Sequence, residues 1–230
     1  MSPRNIEILA YEETPLGLLC LRRRELLSAP GTFLTEVTLD HEYLMGSLHT
    51  DSERALARTG VEWHGGRDLR VLIGGLGLGY TAREVLSSDR VAAVEVIELL
   101  GPVIGWLEAD RFPLAAELKA DPRLSVREGD VYGALAEPPT ERFDVVLIDV
   151  DHSPDERLGA AGPDFYREDG LSRARRHLLP GGVLGVWSYA ESSDFERALR
   201  RTFDEVRVEP VTFRNLLVDE ERTDWLFFAR

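Results

Sequence analysis

The stretch "VLIGGLGLGYTAREVL", residues 71 to 86, sets Gly74, Gly75, Gly77 and Gly79 directly after an apolar run and before a segment of helical spacing. An apolar run entering such a turn is a strand delivered to a helix N-terminus. Main-chain N–H groups are free there, and missing Cβ atoms permit close approach and positive φ. A plain turn needs one or two glycines, so this density points to a ligand lying against the backbone. The surrounding chain has to supply a sheet that carries the turn.

"LRVLIGG", "RVAAVEVIE", "ERFDVVLIDV" and "GGVLGVWSY" are near-continuous Val, Ile and Leu runs, the pattern of strands covered on both faces. "YTAREVLSS", "LLGPVIGWLEADR" and "DFYREDGLSRARRHLLPGG" separate them with helical spacing, the last predicted to stop at Pro180 and the two glycines after it. Strand and helix in alternation predict an α/β, Rossmann-like, mostly parallel sheet. "EVRVEPVTF" and "TDWLFFAR" predict antiparallel strands at its edge. The first forty residues read as β structure: "IEILAY" and "GLLCLR" flank the turn "EETPLG", giving a hairpin over about residues 6 to 23, and "TFLTEVTL" adds a third strand. In "TDSERALA", Thr50 and Glu53 form a capping-box pattern that opens a helix. The expected division is a small β segment over 1–48 and a nucleoside-binding catalytic domain over 49–230.

Composition narrows the partners. A net charge of -14 opposes nucleic acid and acidic lipid and suits a neutral or cationic small molecule. No uncharged apolar run reaches about 18 residues, and "MSPRNIEILAYEET" lacks the basic flank and apolar core of a secretion signal, so a soluble cytoplasmic protein is expected. Cys20, the single cysteine, sits in the apolar "LGLLCLR" and reads as core filling. His41, His49, His64 and His177 show no metal-ligand spacing, and no metal is expected. There is no G-x-S-x-G element to suggest a covalent nucleophile.

The turn itself selects among nucleosides. A dinucleotide fingerprint requires a third glycine where this chain has Tyr80, and a phosphate loop requires a lysine that is missing. What remains is a glycine turn with little grip on phosphate, followed by acids at later strand ends. Glu95, in "AAVEVIE", is placed to accept both ribose hydroxyls. Asp130, in "SVREGDVYGAL", is placed to accept the adenine amino group while Val131 covers the ring. This set suits a nucleoside such as S-adenosylmethionine.

These segments, with "FDVVLIDVDHSPDE", "DFYREDGLSRARRHLLPGGVL" and "WLFFA", resemble in order and spacing the spermidine synthase family. The resemblance covers roughly residues 50 to 230, and the N-terminal hairpin resembles that family's small β domain. It implies a methyltransferase-like Rossmann body, a donor of the S-adenosylmethionine type or its decarboxylated form, and a homodimer. Spermidine synthases usually carry G-G-G-D-G-G in the turn, where the Asp is implied to hold the donor's amine; here the position is Gly77. They also carry D-S-S-D-P after the fourth strand, where the second Asp is implied to orient and deprotonate the attacking amine. This chain reads Asp149, Val150, Asp151, His152, Ser153, Pro154. The Y-H-E signature before the glycine strand has no clear counterpart.

An aminopropyl donor carries a free ammonium that a carboxylate must hold, whereas methyl transfer needs only an aligned nucleophile and a group that takes a proton. The departures at Gly77 and His152 therefore favour methyl transfer to a small, nitrogen-bearing, cationic acceptor. His152 is the expected base, oriented by Asp149 or Asp151. Aminopropyl transfer to a polyamine is the alternative, and a non-catalytic nucleoside-binding protein the second. Tyr80, Trp187, Tyr189 and Trp225 lie near strand ends as candidate walls of an acceptor pocket.

Overall fold

The computed structural model describes residues 6–27, 29–150, 153–154 and 162–230, the side chains of 162 and 163 excepted. Four antiparallel strands come first: β1 (Ile6–Thr14), β2 (Gly17–Glu25), β3 (Phe33–Leu39) and β4 (Glu42–Gly46), paired in that order. The first three match the expected hairpin and third strand. β4 was not anticipated, because "EYLMG" is short and lacks alternation. Leu19, Leu21 and Val37, all essentially without exposed surface, join the main core, so this small sheet packs directly on the α/β body.

That body begins with α1 (Asp51–His64) and runs through β5 (Leu69–Gly74), α2 (Tyr80–Leu86), β6 (Val91–Glu98), α3 (Gly101–Glu108), α4 (Ala115–Ala120), β7 (Leu124–Glu128) and α5 (Val131–Ala136). It continues with β8 (Phe143–Ile148), α6 (Gly162–Phe165), α7 (Glu168–Arg175), β9 (Leu178–Ser188), α8 (Ser193–Thr202), β10 (Val206–Asn215) and β11 (Glu220–Ala229). The seven strands are ordered β10-β11-β9-β8-β5-β6-β7. Five are parallel, and β11 and β10 close the edge antiparallel, as the terminal segments predicted. No helix among the described residues is long and apolar enough to cross a membrane.

The continuous apolar runs do face two cores. Val71 and Ile73 of β5 pack with Leu56, Ala57 and Val61 of α1, while Leu72 packs with Val131, Leu135 and Leu171 on the other face. A side chain of this size withdrawn from water contributes roughly 1.5–3 kcal/mol, so a strand buried on both faces is held far more firmly than a half-exposed one. Two local expectations differ. The helical segment expected to stop at Pro180 ends at Arg175, and Pro180, Gly181 and Gly182 lie inside β9. There the register jumps: Phe143 pairs with Leu178, yet Val145 pairs with Val183, so the proline and glycines form a bulge rather than a helix stop.

β5 is the switch point, since the chain moves outward to β6 and β7 on one side and returns to β8 on the other. The crevice at such a point holds the ligand in open α/β sheets. Its rim is pinned by two main-chain bonds: Asp149 donates its N–H to the Gly74 carbonyl at 2.8 Å, and Gly75 donates to the Ile97 carbonyl at 2.9 Å. Gly75 has φ 95°, and a Cβ there would run into the carbonyl oxygen of Asp149. Gly75→Ala should therefore lower unfolding free energy by more than about 2 kcal/mol, strain and overlap adding together. Urea denaturation of the purified variant checks this.

Candidate active site

Seen from the glycine turn, each residue of the loop is met by protein from a different element. Gly74 lies under Val131, whose methyl groups would be 2.8 Å from an added Cβ. Gly77 lies under Met45 of β4, with the thioether sulfur 3.0 Å from the position of an added Cβ. The small N-terminal sheet thus supplies a cover for the turn. Asp130 caps α5 by accepting from the Tyr132 N–H at 2.9 Å. Asp130 and Val131 therefore stand together at one side of the crevice.

Glu95 is elsewhere. It lies three residues before the end of β6, opposite Leu72, and its carboxylate is held by Arg127 at 2.7 Å. The acid that ends the strand is Glu98, 6% exposed. Glu98 accepts from the N–H of Leu76, inside the glycine turn, at 2.7 Å and from that of Leu100 at 2.8 Å. Burial raises its pKa while these N–H groups hold it down. The correction from Glu95 to Glu98 has a simple reason: only the last residue of a parallel strand reaches the crevice, and "VEVIE" offers two acids in phase with different faces.

On the other side of the turn three carboxylates converge. Asp149, just past β8, accepts from the Thr81 hydroxyl of α2. Glu53 on α1 and Asp224 on β11 share Ser52: its Oγ lies 3.0 Å from Glu53 Oε2 and 2.6 Å from Asp224 Oδ2. Trp187 of β9 donates its indole N–H to Ser52 Oγ at 3.0 Å. Ser52, Thr81 and Asp224 are buried, and Glu53, Asp149 and Trp187 are half-buried. Tyr80, first residue of α2, lies beside them with the Arg54 guanidinium over its ring at 5.6 Å. The Nε of Arg54 is buried and has no hydrogen-bond partner among the described residues.

Concentrating acids in this way costs ionisation. Burial, then the charges of Asp149 and Asp224, push Glu53 up to about 8. Burial, then Asp224, pushes Asp149 up to about 6, against the pull of the Thr81 hydrogen bond. Asp224 is raised chiefly by burial. An ammonium about 4 Å away would favour each ionised form by about 4 kcal/mol at an effective dielectric of about 20, close to three pKa units. An offset of that size is comparable to the shift of either acid, so a cation held there would restore their ionised forms. Among the described residues, no group of three His, Cys, Asp or Glu side chains is disposed to hold a metal ion.

Of the residues expected from the sequence, Gly74, Gly75, Gly77, Gly79, Asp130, Val131 and Asp149 surround the crevice. Asp151 and His152 lie outside the described residues. Tyr80 and Trp187 adjoin the acids, whereas Tyr189 is 44% exposed and Trp225 packs against the opposite core. Glu53 was read as half of a capping box. The helix does start at Asp51, but the Thr50 side chain makes no capping hydrogen bond and the Glu53 carboxylate is turned to Ser52. Asp224 went unnoticed although a signal existed: it alternates in phase with Leu226 and Phe228, both fully buried.

No family model matches the chain. It is 34% identical over 125 residues to polyamine aminopropyltransferase 2 of Streptomyces coelicolor, covering 53% of this chain and 22% of that protein. It is 30% identical to spermidine synthase 1 of Pisum sativum, covering 54% and 34%, and 28% identical to putrescine N-methyltransferase 2 of Nicotiana tabacum, covering 54% and 33%. The chain thus spans about a third or less of the length of these three relatives. In fold it is similar to a spermidine synthase solved with a transition-state analogue, with TM-score 0.73 at 22% identity over 96% of this chain and 73% of that one. Spermidine synthase of Thermotoga maritima is similar at TM-score 0.72 and 20% identity, over 96% and 71%. The resemblance read from the sequence is borne out: the chain is similar to polyamine aminopropyltransferases and spermidine synthases, and equally to putrescine N-methyltransferases.

The raised acids fix the sign of a pH effect on stability. For Glu53 the neutral form is favoured in the folded protein, with about 8 against an ordinary 4.5. The fold therefore retains a proton that the unfolded chain has already released, and stability falls as pH rises from about 4.5 to 8. Asp149 contributes in the same direction up to about pH 6. Urea unfolding of the ligand-free protein should show lower stability at pH 8 than at pH 6, and Glu53→Gln should flatten most of that difference.

Proposed function

We propose that the protein is a transferase that takes an adenosyl sulfonium donor in the glycine turn and passes a carbon group to an amine held by Glu53, Asp149 and Asp224. The observation that carries this reading is the three-carboxylate cluster beside the turn, which lacks an ion-pair partner among the described residues. In this proposal the ribose hydroxyls bond Glu98, the adenine lies along Val131 with its amino group at Asp130, and the sulfonium carbon faces the acids. Glu98 replaces Glu95 in that role. A carboxylate of the cluster takes one proton from the bound ammonium, freeing a nitrogen lone pair. The N–C bond forms as the S–C bond breaks, and the thioether nucleoside leaves. His152 and Asp151, from the sequence, remain candidates for relaying the proton. The cytoplasmic location and the homodimer expected from the resemblance belong to the same proposal.

Methyl transfer from S-adenosylmethionine is the favoured reaction. Two observations support it. Met45, not a carboxylate, occupies the space above Gly77, so a donor ammonium finds no acid there. Arg54 offers a buried Nε, unpaired among the described residues, beside Tyr80, a cation suited to the α-carboxylate that only the complete amino acid donor carries. Aminopropyl transfer is the second reading, in which the Asp149 carboxylate beside Thr81 would hold a donor ammonium in place of the missing acid.

With putrescine as acceptor, mass spectrometry should detect the N-methylated amine from S-adenosylmethionine. Faster turnover of the decarboxylated donor to spermidine would reverse the choice, and binding of donor without product would mark a non-catalytic protein. Asp149→Asn should lower kcat by about a hundredfold with little change in donor affinity. Arg54→Met should weaken binding of S-adenosylmethionine by about tenfold or more and leave that of the decarboxylated donor nearly unchanged, as calorimetry with both donors will show.

A further inference from the structure

Three hydrogen-bonding groups converge on the hydroxyl oxygen of Ser52: Asp224 Oδ2 at 2.6 Å, Glu53 Oε2 at 3.0 Å and Trp187 Nε1 at 3.0 Å. An indole N–H only donates, so Trp187 brings no acceptor to Ser52, and it also bonds the Asp224 carboxylate. The hydroxyl has a single proton, which one carboxylate accepts. The other carboxylate oxygen then confronts a lone pair of the hydroxyl, and two lone pairs repel unless that carboxyl carries a proton and donates it. Ser52 is 3% exposed and Asp224 9%, which leaves little room for water to separate them. The geometry therefore demands one proton more than a serine and two ionised carboxylates possess.

We propose that Glu53 and Asp224 hold one proton between them through Ser52 in the unliganded protein, and that an ammonium group entering the site expels it to solvent. The second half rests on the amine-acceptor reading above; the first half does not. The distances assign the proton to Glu53. A contact of 2.6 Å is that of a hydroxyl donating to an ionised carboxylate, so Ser52 donates to Asp224 and the longer contact is the neutral Glu53 carboxyl donating to Ser52. The surroundings act in the same direction. Glu53 is faced by Asp149 from the end of β8 and Asp224 from β11, which oppose its charge, and by Tyr80 of α2 beside Arg54 of its own helix. Arg54 forms no ion pair with Glu53, so its charge does not settle the proton's place.

On this account Ser52 and Asp224 are positioning residues. With burial and the Asp149 charge, they place the proton on Glu53, which in this proposal touches the acceptor. When a cationic amine binds, the Glu53 O–H bond breaks, the proton goes to solvent, and the carboxylate left behind pairs with the ammonium. Linkage then ties acceptor affinity to pH: with one proton released, affinity rises about tenfold per pH unit while Glu53 is neutral in the empty site.

Calorimetric titration with putrescine at pH 7, in two buffers of different ionisation enthalpy, counts the protons released. The expected count is near one for the unaltered protein and lower for Asp224→Asn, in which one of the two acids that confront Ser52 is gone. Should Asp224→Asn fail to fold, the infrared comparison of the unaltered protein with Glu53→Gln decides instead. Infrared spectroscopy of the ligand-free protein at pH 7 should show a protonated carboxyl band that Glu53→Gln removes and putrescine abolishes. Its loss on binding identifies the proton as the carboxyl's and not the amine's. Putrescine binding without proton release, release unchanged in Asp224→Asn, or no such band would overturn the inference. Absence of any putrescine binding would instead defeat the amine-acceptor reading, and the infrared band would still decide whether the proton is stored.

Discussion

The hydrogen bond from the Asp149 N–H to the Gly74 carbonyl joins the two strand ends on which the site is built. β5 and β8 are neighbours in space although α2, β6, α3, α4, β7 and α5 separate them in the chain, and this contact brings the glycine turn against the loop that follows β8. Gly75 has to be a glycine for that approach, because any side chain would meet the Asp149 carbonyl. The glycine density is therefore explained twice over. Backbone is bared as the sequence pattern of a ligand-bearing turn predicts, and it is also bared for its neighbours, with Val131 over Gly74 and Met45 over Gly77.

The acid cluster carries the opposite kind of constraint. Hydrophobic burial stabilises the two cores, whereas gathering Glu53, Asp149 and Asp224 works against the fold by disfavouring their ionised forms. A protein keeps such an arrangement where the strain is useful, and a cationic ligand is the agent that relieves it. The chain's acidity is of the same sign: a net charge of -14 favours the approach of cations over anions.

Much of this was legible because it is local. The apolar runs of β5, β6, β8 and β9 and the helical spacing between them follow from neighbours in sequence, and so does the glycine turn. The errors were local too. Thr50 and Glu53 match a capping box in spacing, and nothing nearby reveals that Glu53 is claimed by a distant serine and acid network. Glu95 and Glu98 are both acids in one strand; which of them reaches the crevice depends on where β6 ends against β5.

The sequence by itself determined the class of fold and the place of the glycine turn, with a glycine at position 77, since period, apolar runs and residue identity are written along the chain. Tertiary structure alone decided the acid cluster. Ser52 and Asp224 stand 172 positions apart, and their carboxylate and hydroxyl meet only because α1 packs over β9 and β11. Proton sharing, raised acidity constants and the cover that Met45 gives the turn are properties of distances between elements, and such distances exist only after the chain has folded.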